Sequence, residues 1–133
     1  MTCPIPFHLH FETQSDFAYL PFLTRLFKAL GIASPNALTQ ILVEAYNNAV
    51  IHAHHRNKKE WIGIEIDVET KKISIRVLDH GFGMKKNPAK KKVKGQWETS
   101  GRGMDLIRAL SDKMSYTKKG NVHIFEATKF LKL

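Results

Sequence analysis

The chain has 133 residues, 43% of them hydrophobic and 25% charged, with a formal net charge of +9. That length suits one domain able to bury about two thirds of its unfolded surface, and the charge favours an anionic partner. A single cysteine, Cys3, excludes an internal disulfide. No apolar run approaches the ~20 residues needed to cross a bilayer, and the N-terminus lacks a signal-peptide pattern, so a cytoplasmic protein without a membrane partner is expected.

Residues 1–14 contain Phe7-His-Leu-His-Phe11, whose alternation predicts a strand at a sheet edge. From Asp16 to Leu30 the apolar spacing of Phe17, Leu20, Leu23, Leu26, Phe27 and Leu30 is helical, with Pro21 near its start and Gly31 at its end. Ser34-Pro35 reads as N-cap and first helical position of a second helix. That helix runs to about His54, and the polar stretch 55–59 ends it.

Trp61–Val68 sets Ile62, Ile64, Ile66 and Val68 on one side, and Ile73–Asp79 does the same with Ile73, Ile75 and Val77. The two form an antiparallel hairpin around residues 69–72, with Asp79 at its far end. Residues 80–100 show no periodicity, and a loop of that length is usually functional. It carries Lys85, Lys86, Lys90, Lys91, Lys92 and Lys94. A helix is expected from Arg102 through Met114, with Met104, Leu106, Ile107, Leu110 and Met114 as its buried stripe. Tyr116–Lys118 and Val122–Leu131 form a closing hairpin around Gly120. The order β α α β β (loop) α β β describes an α+β fold: a two-layer sandwich, its mostly antiparallel sheet covered on one face by helices. A single domain spans 1–133.

Three stretches carry chemistry. Glu44 and Asn48 lie one helical turn apart, so their side chains enter the same space. Carboxylate and amide oxygens suit Mg²⁺, which keeps waters and takes phosphates as ligands; the glutamate instead suits accepting a proton from an attacking hydroxyl. Asp79 before Gly81 is either a turn former or an acceptor for an amino group held against glycines. Gly101-Arg-Gly103 before a helix presents backbone N–H groups to a phosphate. His52, His54 and His55 diverge around a helix and do not make a metal cluster.

In this order the pieces resemble the GHKL ATPase superfamily, and within it the single-domain bacterial anti-sigma factor serine kinases. The N box stands as Glu44-Ala-Tyr-Asn-Asn48-Ala-Val-Ile-His52, the D-x-G-x-G turn as Asp79-His-Gly81-Phe-Gly83, and the third motif as Gly101-Arg-Gly-Met104 followed by Leu-Ile-Arg-Ala-Leu-Ser-Asp112. The resemblance implies ATP and Mg²⁺ as cofactors. It makes Asn48 the Mg²⁺ ligand and Glu44 the general base toward a serine hydroxyl. Asp79 would accept the adenine amino group, with Gly81 and Gly83 permitting close approach. Gly101, Arg102 and Gly103 would contact phosphates, residues 84–100 would form the ATP lid, and His52 and Met104 complete the cofactor-binding set.

The same resemblance implies a homodimer that binds a sigma factor or similar client. Its substrate would be a serine of a STAS-type anti-anti-sigma antagonist. A non-catalytic ATP-dependent client-binding module is the alternative. Nucleic-acid binding through the lysine-rich loop ranks last, because Trp97 is the one aromatic among those lysines.

Overall fold

The computed structural model describes residues 5–53, 59–80 and 102–131. Strand β1 (Phe7–Gln14) leads through a 3₁₀ turn (Phe17–Tyr19) into helix α1 (Leu20–Ala29). Helix α2 (Asn36–Asn48) follows and widens into a π-helical turn, Ala49–Ala53. Strands β2 (Trp61–Val68) and β3 (Lys72–Asp79), helix α3 (Arg102–Leu110) and strands β4 (Lys113–Lys119) and β5 (Val122–Phe130) complete the order. The α+β expectation holds, and every strand pairing is antiparallel, in the order β1-β2-β3-β5-β4. β1 lies at one edge, as its sequence suggests.

Alternation sorts the two faces of this sheet. Ile62, Ile64, Ile66 and Val68 of β2 and Ile73, Ile75 and Val77 of β3 are all at most 2% exposed. Each such aliphatic side chain contributes about 1.5–3 kcal/mol on burial. Against them pack Leu23, Leu26 and Phe27 of α1, Ile41, Leu42 and Tyr46 of α2, and Ile107 of α3. The opposite face is polar. There Arg76 donates to Glu65 and Glu126, each at 2.8 Å, and to Asp67, which also meets His8.

Buried Tyr46 ties the helical layer to the end of β1. Its hydroxyl lies 2.8 Å from Thr13 Oγ1 and donates toward the carbonyls of Gln14 (2.8 Å) and Asp16 (3.0 Å). This fixes the direction in which α2 crosses the sheet, and so where Glu44 and Asn48 stand.

Three boundaries differ from the sequence expectation. Ser34 has φ of 52°, in the left-handed region, and does not cap α2. Pro35 holds the cap position, and its carbonyl accepts the first helical hydrogen bond, from Thr39 at 2.9 Å. A serine cap needs extended backbone to fold its hydroxyl over the first turn. The α-helical hydrogen bonding of the central helix stops at Asn48 rather than continuing to about His54. Met114 belongs to β4, because α3 ends at Leu110, and Leu106 is half-buried outside the core. Among the described residues no helix is long and apolar enough to cross a membrane.

Candidate functional site

The end of the sheet that carries Asp79 is where α2 finishes and α3 begins. Glu44 and Asn48 both belong to α2, as their spacing predicts, and Asn48 is 8% exposed. A buried carboxamide is costly unless something pairs with it. Asn48 Nδ2 has no hydrogen-bond partner among the described residues, and neither does the neighbouring Asn47 Oδ1. An unpaired buried amide costs about 1–3 kcal/mol, which a ligand that pairs it would offset.

The first turn of α3 sits directly on this pair. A β-carbon built on Gly103 would stand 2.5 Å from Glu44 Oε2 and 3.6 Å from Asn48 Nδ2. The missing side chain at Gly103 leaves the space that the Glu44 carboxylate occupies against the first turn of α3. The positive end of the α3 dipole therefore lies over the N-box pair, a setting that favours an anion.

Beside the pair is a cavity of about 20 Å³, enough for one water. Ala45 and Ala49 line it from the α2 side, with Asn48 between them. Val77 and Phe125 form its floor, Met104 its α3 wall and Tyr116 its β4 wall. Asp79, 6% exposed at the end of β3, brings the carboxylate to it. A mostly apolar slot with one acceptor at its end suits a flat ring bearing an amino group.

Several expected site residues are thus brought together: Glu44, Asn48, Asp79, Gly103 and Met104 surround one cavity and the helix end beside it. Arg102 opens α3. His52 falls in the π-helical turn, so the four-residue step from Asn48 no longer follows α-helical geometry there. Gly81, Gly83, Gly101, the lid 84–100 with its six lysines, and His54 and His55 lie outside the described residues. Sequence reasoning missed Tyr116 as part of the site. The available signal was parity: Met114, Tyr116 and Lys118 alternate toward the helices, which places Tyr116 beside its cross-strand partner Phe125.

The family model described as Histidine kinase-like ATPase domain matches residues 22–125, from within α1 into the first half of β5. The chain belongs to this family. A search of the curated proteins returns no match. For a histidine kinase-like ATPase domain the implied ligand is ATP, with Mg²⁺ its usual companion, and the residues present fit both. The small alanines and Asp79 suit the base. A half turn of the Asn48 carboxamide exchanges nitrogen for oxygen and offers that oxygen to a cation. Among the described residues no group of three or more His, Cys, Asp or Glu is placed to hold a metal. Magnesium characteristically keeps waters and takes substrate phosphates as ligands.

Proposed function

We propose that this ATPase domain is a Mg-ATP-dependent serine protein kinase of the anti-sigma type, the reading the sequence resemblance implies. The observation that carries it is the seating of Glu44 and Asn48 against Gly103. It puts a carboxylate base beside the helix end suited to phosphates. Asp79 would hold the base amino group, and Asn48 would direct its amide oxygen to the ion. Bound magnesium would supply charge neutralisation on the phosphate oxygens. Glu44 would accept the proton of an incoming serine hydroxyl as its oxygen bonds to the γ-phosphorus. The bond from that phosphorus to the β–γ bridging oxygen would break, and ADP would leave. Such a transfer asks the protein mainly for positioning and charge, so a sparse site is sufficient.

The partners we propose are a sigma factor or similar client, held by the ATP-bound form, and a STAS-type antagonist that receives the phosphate in the cytoplasm. A homodimer through β1 and α1 is supported by the exposed rings of Phe17 and Phe22 beside that edge strand; Phe22 meets Phe11 edge-on at 5.5 Å.

Calorimetric titration of ATP with and without Mg²⁺ tests the site. Wild type should bind with Mg²⁺ enhancement, and Asn48→Ala and Asp79→Asn should not. Glu44→Ala should bind ATP and lose phosphotransfer to a STAS-type substrate. A wild type that binds no nucleotide overturns the proposal. Client capture indifferent to Glu44→Ala, with no phosphotransfer by wild type, would instead identify an ATP-dependent binding module.

A further inference from the structure

We infer that Tyr116 is a base-contacting residue, the wall that yields to admit the adenine ring and then packs on it; this rests on the ATP-binding reading above. A purine cannot enter a cavity of about 20 Å³, so part of the lining must move. Most of the lining has no freedom to do so. Ala45 and Ala49 end at their β-carbons. Val77, Met104 and Phe125 are at most 8% exposed and belong to the hydrophobic core. Tyr116 differs from all of these. It is half-buried, and it stands on β4, which lies at the edge of the sheet. An edge strand has a neighbour on one side alone, so its side chain can swing outward without displacing another strand.

The ring also has a definite orientation. Tyr116 meets the His123 ring edge-on, with centroids 6.1 Å apart and planes at 89°. His123 is the cross-strand partner of Asp79, on the same face of the sheet. The aromatic pair therefore flanks the carboxylate. A ring admitted here would have its amino edge toward Asp79 and a face open to Tyr116. Stacking on an aromatic ring is tolerant of which base is present, whereas the Asp79 carboxylate selects an amino group. Together they describe a site that reads a flat, amino-bearing heterocycle.

The experiment compares ATP with adenosine, which lacks the phosphates, by calorimetry and NMR titration on wild type, Tyr116→Phe, Tyr116→Leu and Tyr116→Ala. If Tyr116 contacts the base, Tyr116→Ala weakens both ligands by the same factor, roughly 5- to 150-fold, the span that loss of base–aromatic stacking covers. Tyr116→Phe keeps wild-type affinity because it keeps the ring. Tyr116→Leu, an apolar replacement on a solvent-edge strand, guards against a misfolded alanine variant and shows the same loss. Unchanged adenosine affinity in Tyr116→Leu overturns the inference, as does a loss confined to ATP. A wild type that binds neither ligand overturns the ATP reading itself, and the inference with it. A wild type that binds both, with variants that match it, removes Tyr116 alone.

Discussion

Glu44 Oε2 occupies the space a side chain at position 103 would need, 2.5 Å from where that β-carbon would stand. The base candidate and the helix end proposed to meet the phosphates are thus two halves of one contact. Gly103→Ala forces the carboxylate to move, and the carboxylate can do so because it ends a flexible side chain. The fold should persist, with a thermal midpoint near that of wild type, since alanine favours a helix over glycine by about 1 kcal/mol. Phosphotransfer should fall about 10²- to 10⁴-fold, the usual worth of a positioned base, while ATP affinity changes little. Parallel calorimetry and turnover measurements check this. Full turnover in Gly103→Ala would separate Glu44 from the chemistry.

Asn48→Ala should trade function for stability. The buried Nδ2 has no partner among the described residues, and asparagine is a poorer helix former than alanine. Removing the amide should stabilise the nucleotide-free protein by up to about 1 kcal/mol, seen as a raised urea midpoint at constant slope. Mg²⁺-dependent ATP binding should be lost in the same variant. A destabilised Asn48→Ala would mean that the amide serves the fold.

The parts of this design legible in the sequence are those set by local periodicity. Ile62, Ile64, Ile66 and Val68 alternate, and all four are buried; Glu44 and Asn48 are one turn apart, and both reach the same helix end. What was not legible depends on register and on the third dimension. Ser34-Pro35 reads as a cap until the φ of 52° at Ser34 is known. The π-helical turn after Asn48 leaves no mark in the spacing of Ala49–Ala53. Tyr116 looks like any strand aromatic until β4 is set against β5 and the cavity closes over it. Arg76 shows in the sequence as one polar position in a strand. Only the β2-β3-β5 pairing surrounds it with Glu65, Asp67 and Glu126.

Tyr46 links the site to the edge of the sheet, and its hydroxyl can be removed alone. Burial raises its pKa above the ordinary value, against the lowering effect of its hydrogen bonds to Thr13 and Asp16, so the group stays protonated and able to donate. Tyr46→Phe keeps the ring and leaves the Thr13 hydroxyl (5% exposed) and the Gln14 and Asp16 carbonyls to find other partners. The expected cost is about 1–3 kcal/mol, measured by urea unfolding. A change below about 0.5 kcal/mol would show that water replaces the hydroxyl at no cost.

The polar face of the sheet should make stability acid-sensitive. Partial burial by itself raises the Asp67 pKa, but hydrogen bonds from Arg76 and His8 outweigh it and hold the carboxyl below its ordinary value. A carboxyl whose folded pKa is depressed contributes stability that is fully present above its unfolded pKa of about 3.9. That contribution is lost as pH falls through the lower folded value. Arg76 keeps its charge throughout, since its three carboxylate partners outweigh the effect of burial and raise its pKa. Urea midpoints should therefore lose this contribution of Asp67 below about pH 4. Asp67→Asn should start from a lower midpoint at pH 7 and decline less steeply in acid. Parallel decline of the two proteins from pH 5 to pH 2.5 would show that Asp67 titrates alike in the folded and unfolded chains, and that its pairing with Arg76 contributes nothing to the fold.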